Sequence, residues 1–199
     1  MSRRIQVAPI GVLAATALAY LRWIRPWQLT WGATAAEAVR ALPGDDLVPR
    51  PSFAATRAIS IQAPPERVWP WLVQVGMNRA GWYSYDLIDN LGRPSAVTIL
   101  PQFQDLAVGD TVPMSPSGRV SFPVLAMSAP YSMVWGTADD LTWTWQLDRE
   151  PDGSTRLLSR MRCRYRWTSP MILVHLGLEF GDIVMMRRML LNLRGRAEA

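Results

Sequence analysis

LTWTWQLDREPDGSTRLLSRMRCRYRW, residues 141–167, decides the fold. Two alternating runs flank Glu150-Pro151-Asp152-Gly153, a sequence suited to a type I turn closed by a glycine bulge, which makes Glu150 and Ser154 partners. Counting back from that turn sets Asp148 opposite Arg156, Thr144 opposite Arg160 and Asp140 opposite Arg164. The other face then pairs Leu147 with Leu157, Trp143 with Met161 and Leu141 with Cys163. Charge and apolar patterns agree on one register, as expected of an antiparallel hairpin with one buried side.

Working outward, further antiparallel strands are predicted around Asp110–Met114, Val120–Met127 and Tyr131–Trp135, with turn residues between them. From Ala55 the chain alternates again, with Arg57, Ile59, Ile61 and Ala63 on one face. Pro65 can start a helix whose Val68, Trp69, Leu72 and Val73 form an apolar stripe ended by Gly76. AGWYSYDLIDN, residues 80–90, reads as a short helix or a lid-like loop. Residues 169–197 read as helix, with Ser169 as cap, Pro170 in the first turn and a break or bend at Gly181-Asp182. Ile183, Met186, Leu190 and Leu193 share its apolar face, and Arg187, Arg188, Arg194 and Arg196 serve the other side. The expected fold is α+β, a curved antiparallel sheet wrapped around a long C-terminal helix over residues 55–199, an arrangement that encloses a cavity.

Residues 26–54 read as a wrapped connector divided by prolines. Thr34 and Glu37 form a capping box, and Asp45 and Asp46 read as solvated turn residues. Ahead of the connector, 17 uncharged residues between Arg4 and Arg22 reach roughly 25 Å as a helix, the short end of a bilayer span. With Tyr20, Trp23 and Trp27 at its end, residues 1–25 are read as an N-terminal hydrophobic membrane-anchor helix, a single pass with the domain on the cytoplasmic side. A helix lying in the interface and a cleaved signal peptide are the competing readings.

The chain has 199 residues, 49% hydrophobic and 19% charged, which excludes a disordered chain and leaves room for one core. Its net charge of +5 invites a nucleic-acid reading. Yet residues 1–25 hold four Arg and no acid, leaving 17 basic residues against 16 acidic ones in the body, so no nucleic-acid partner is expected. One cysteine, Cys163, excludes an internal disulfide, and one histidine, His175, excludes a multi-histidine centre. His175 and Glu179 share a helix face at i, i+4, but nothing completes a metal site, and neither metal nor cofactor is expected.

The odd-numbered hairpin face, Trp143, Trp145, Met161, Cys163, Tyr165 and Trp167, is expected to face Met185, Met186 and Met189 of the final helix. Large aromatics with flexible thioethers suit an adaptable apolar cavity, and equally an ordinary filled core. Trp71, Gln74, Arg79, Trp82, Tyr83, Tyr85, Asp86 and Asn90 are the candidates for its remaining wall and its orienting polar groups. Tyr83, Tyr85 and Asp86 are the candidate acid/base groups should the cavity catalyse, and the competing reading is a capping cluster that fixes the loop. Arg156, Arg160, Arg162, Arg164 and Arg166 form a stripe, read as a solvated outer face neutralised by Asp140 and Asp148, or as a contact for anionic headgroups.

WGATAAEAVRALPGDDLVP, AISIQAPPERVWPWLVQVG, RAGWYSYDLIDN, GDTVPM, TWTWQLDREPDGSTRLLSRMR and MMRRMLLNLRGRAEA resemble segments of the SRPBCC superfamily, the START-like or helix-grip proteins that include polyketide cyclase/dehydrase-like and lipid-transfer members. The resemblance covers about residues 31–197 and is to a subgroup often preceded by a hydrophobic segment. It implies the helix-grip fold and a cavity; no catalytic motif of the family maps onto this chain. The expected function is a membrane-associated protein that binds a hydrophobic small molecule or lipid between sheet and final helix. A cyclase/dehydrase-like enzyme and a protein-interaction scaffold are the alternatives.

Overall fold

The structure, a computed structural model, describes residues 11–12, 15–16, 18–165 and 171–199, and for 171–180 the backbone alone. A π-helical turn (Tyr20–Ile24) leads into helices α1 (Arg25–Leu29) and α2 (Ala35–Val39), strand β1 (Phe53–Ile61), and helices α3 (Pro65–Val73) and α4 (Asp86–Asp89). Strands β2 (Thr111–Pro113), β3 (Ser121–Ser128), β4 (Ser132–Thr137), β5 (Leu141–Arg149) and β6 (Thr155–Cys163) follow, and helix α5 (Met171–Glu198) closes the chain. The strands form one six-stranded sheet in the order β1-β6-β5-β4-β3-β2, antiparallel throughout. The α+β class with a sheet and one long C-terminal helix is as expected.

The hairpin adopts the register its pattern dictates, with Asp148 opposite Arg156, Thr144 opposite Arg160, Leu147 opposite Leu157 and Trp143 opposite Met161. Its turn closes by Gly153 N–H donating to Glu150 O (2.9 Å) and Glu150 N–H to Ser154 O (2.9 Å). Gly153 sits at φ 84°, the left-handed region that only glycine enters without cost.

The inner face of the sheet packs Ile59, Ile61, Trp135, Trp145, Leu147 and Leu157 against Val68 and Leu72 of α3 and Met186, Met189, Leu190 and Leu193 of α5. Fully burying one such aliphatic side chain stabilises by about 1.5–3 kcal/mol. α5 is continuous through Gly181-Asp182, so the expected break is absent. Glycine permits a bend without imposing one. Asp182 is held in line by an ion pair with Arg57 of β1 (2.5 Å).

The outer face corrects the reading of the arginine stripe and of Asp45. Arg160 is 3% exposed. Its Nε donates to Thr56 Oγ1, its Nη1 to Arg40 O and Asp45 Oδ2, and its Nη2 to Glu37 O and Ala38 O, at 2.6–3.0 Å. A guanidinium has five N–H donors, and all five are used. Three of the acceptors are carbonyls at the end of α2, which its own hydrogen bonds cannot satisfy. Arg156 pairs with Glu37 (2.7 Å) and Arg162 donates to Val48 O (2.9 Å), while Asp148 pairs with Arg40. Arg156, Arg160 and Arg162 of the stripe are therefore the seam that fastens the connector across the sheet, while Arg164 is exposed and Arg166 lies outside the described residues. The α2 capping box forms as read, with Glu37 N–H donating to Thr34 Oγ1 (3.2 Å) and Thr34 N–H to Glu37 Oε2 (2.7 Å). At Gly32 (φ 74°) the connector comes so close that a Cβ would stand 2.1 Å from Ala58 O.

The anchor expected over residues 1–25 falls in large part outside the described residues. Of those described, Leu18, Leu21, Trp23, Ile24 and Trp27 are exposed, and no helix among the described residues is long and apolar enough to cross a membrane.

Candidate functional site

A cleft of about 510 Å³ opens between α5, the hairpin, the 77–91 segment and the loops flanking β2 and β3. Met185, Met186 and Met189 line it from α5, Trp143 and Met161 from the hairpin, Met77, Trp82, Ile88 and Leu91 from the loop, and Met114, Pro116 and Phe122 from beyond it. Six of the chain's 10 methionines meet here. Unbranched, polarizable thioethers can re-form a wall around differently shaped ligands. Ser84, Ser115, Asp89 and Asp182 are the polar lining.

Whether the space between sheet and helix is filled or hollow has a divided answer. Trp82 stacks on Trp143 with ring centroids 5.8 Å apart and planes at 9°, and Trp135 stands edge-on to both. Behind this layer Trp135 and Trp145 are fully buried, so the space around these two rings is filled. The cleft begins on the outer side of the Trp82–Trp143 stack. Trp143 is fixed in place by its Nε1–H donating to Ser159 Oγ (2.8 Å).

Of the residues expected to bind a ligand, Trp82, Trp143, Met161, Met185 and Met189 line the cleft together. Trp145 lies one layer deeper. Tyr165 does not reach it: with Cys163 it joins Phe53 and Ala55 in a separate cluster, stacked on Phe53 at 6.4 Å. Trp167 and the side chains of His175 and Glu179 lie outside the described residues.

The polar candidates are brought together, but around the loop rather than in the cleft. Tyr83 O–H donates to Trp71 O (3.0 Å) and accepts from Gln74 Nε2 (2.7 Å), while Arg196 lies over its ring at 4.5 Å. Burial pushes the Tyr83 phenol up to about 12, which holds it neutral. Gln74 also accepts from Leu100 N–H (2.8 Å). Arg79 donates to Val73 O and Phe103 O and stacks on the Phe103 ring. Asn90 clamps Trp82, accepting from its N–H (2.7 Å) and donating to its carbonyl (2.8 Å). Asp86 accepts from Asn90 Nδ2 and Ser95 N–H, and Tyr85 is exposed beneath Arg188. This network shapes the loop that carries Trp82, Ile88 and Leu91, and most of its donors and acceptors are spent within it, the buried Arg79 Nε excepted. Among the described residues no group of three or more His, Cys, Asp or Glu is placed to hold a metal.

Reading the sequence missed Met77, Met114, Phe122 and Trp135, and the polar pair Ser84 and Asp89. The available signal was the scatter of single methionines at strand and loop ends, which no periodicity collects.

No family model matches the chain, and no curated protein matches it. Among solved structures it is similar to a protein from Mesorhizobium loti (17% identity, covering 72% of this chain and 96% of that one, TM-score 0.43). It is also similar to a Polyketide_cyc-like protein from Corynebacterium glutamicum (12%, covering 71% and 88%, TM-score 0.44). An AHSA1-like protein from Aeromonas hydrophila gives 15% identity over 73% of this chain and 92% of that one, with a TM-score of 0.40. With every one of these scores below 0.5, the functional reading rests on the cleft itself.

Proposed function

We propose that this domain binds a hydrophobic small molecule or lipid in the methionine-lined cleft beside α5, without covalent chemistry of its own, and does so at a membrane. The observation that carries the reading is the lining: 12 of 16 residues are apolar, around a volume in the range of small-molecule sites. The resemblance of the sequence segments to SRPBCC proteins supports the same reading. The membrane part is supported by the exposed Leu18, Leu21, Trp23 and Trp27 ahead of the domain, by exposed Ile88 and Leu91 at the cleft, and by exposed Leu87 beside them in sequence.

The test is a titration of the full chain with the neutral probe N-phenyl-1-naphthylamine, followed by quenching of tryptophan emission, beside native mass spectrometry for a co-purifying apolar molecule. Saturable quenching is expected, because Trp82 and Trp143 form one wall. Met185→Gln puts an amide into that wall and should weaken binding by about tenfold. Absence of saturable quenching, or affinity untouched by Met185→Gln, overturns the reading.

A further inference from the structure

The polar groups of the cleft are few, and their charge is one-sided. Among the described residues both ionisable lining groups are carboxylates, Asp89 and Asp182, in a chain whose net charge is +5. They are not equivalent. Asp182 is paired with Arg57, which is 2% exposed and stands behind it, so that carboxylate is already neutralised. The two arginines next along α5 are engaged elsewhere, Arg187 over the Trp31 ring at 5.4 Å and Arg188 over the Tyr85 ring at 5.8 Å. Asp89 is half-buried, on α4, and among the described residues no hydrogen bond or ion pair engages its carboxylate. Five residues earlier, Ser84 is more than nine-tenths buried in the same wall, with its Oγ closed off from the cleft.

A carboxylate at the rim of an apolar cleft attracts a cation and repels an anion, more strongly than in open water because the walls exclude solvent. We propose that the cleft selects apolar molecules that carry an amine, with the ammonium group at Asp89 and the apolar body along the methionine wall, and that it disfavours carboxylates. This rests on the cleft being a hydrophobic binding site.

Decylamine, decanol and decanoate, each below its micelle concentration, test the proposal with the full chain at low salt and pH 7. Decylamine is expected to bind about tenfold more tightly than decanoate, with decanol between them. Asp89→Asn should bring the three affinities together, whereas Asp105→Asn, an exposed acid outside the cleft, should preserve the order. Added salt should narrow the gap. Octadecylamine and octadecanoic acid, each held in phosphatidylcholine vesicles, distinguish a membrane lipid from a dissolved amine as the source, and the same amine-over-acid order is expected there if the source is a lipid. If all three decyl compounds bind equally, or decanoate binds best, or the order survives Asp89→Asn, the selectivity is overturned while the cleft remains a binding site. If none binds, both readings fall.

Discussion

Arg160 should be the most costly charged side chain of this domain to remove. Arg160→Ala deletes five hydrogen bonds at once, leaves the carbonyls of Glu37, Ala38 and Arg40 beneath the connector without the guanidinium, and leaves the Asp45 carboxylate with Leu42 N–H and the more distant Arg162 alone. Breaking a buried ion pair by removing one member costs about 3–5 kcal/mol, against a total of about 5–15 kcal/mol for a domain. In a chain of this length that is a fall in Tm of roughly 10 °C. Arg160→Lys keeps the charge but has three donors in place of five, and should cost roughly 2 kcal/mol. Arg160→Met combined with Asp45→Asn removes both charges and should recover part of the loss. Urea unfolding followed by tryptophan emission measures each value, with the exposed Arg164→Ala as a control within about 0.5 kcal/mol of the parent. Amide exchange over residues 35–46 should accelerate in Arg160→Ala, since the seam holds that segment. A cost below about 1 kcal/mol for Arg160→Ala, or a lysine variant as stable as the parent, would refute the seam.

Two further outcomes follow from the same geometry. Glu37 is held at about 2, below its ordinary 4.5, chiefly by the Arg156 side chain and in part by the Thr34 backbone, with burial opposing. Its stabilising contribution is therefore complete above about pH 4.5 and lost as pH falls toward about 2. Glu37→Gln should lower the urea midpoint at pH 7 and flatten its decline across that window; an unchanged acid limb would count against the pair. Burial pushes the Cys163 thiol up to about 11, so the folded chain should not react with a disulfide reagent at pH 8 and should react fully in urea. Rapid labelling of the folded chain would contradict its burial beside Phe53 and Tyr165.

Local chemistry made much of the fold legible. The hairpin register follows from a turn that admits one pairing and from charges and apolar residues that agree with it. The α2 cap and the proline start of α3 are equally local. What failed were the inferences about the outer face of the sheet and about the polar groups of the 80–90 loop. Arg156 and Arg160 looked solvated because their partners, Glu37, Asp45 and the α2 carbonyls, lie more than 100 residues away in sequence. Gln74, Tyr83, Asp86 and Asn90 looked like pocket groups because their residue types suit one. Only the packing of the loop shows that their hydrogen bonds close on one another and on backbone.

The opening hairpin marks the same boundary. Alternation along residues 141–165 determined which side chains share a face, because a strand repeats every two residues. It could not determine how deep each one lies. Trp143 lines the cleft, Trp145 fills the core behind it, and Tyr165, two residues past the end of β6, turns to a different cluster, though all three continue one alternation in the sequence. Depth depends on where Trp82 stacks and where α5 crosses, and both are set by contacts between segments far apart in the chain.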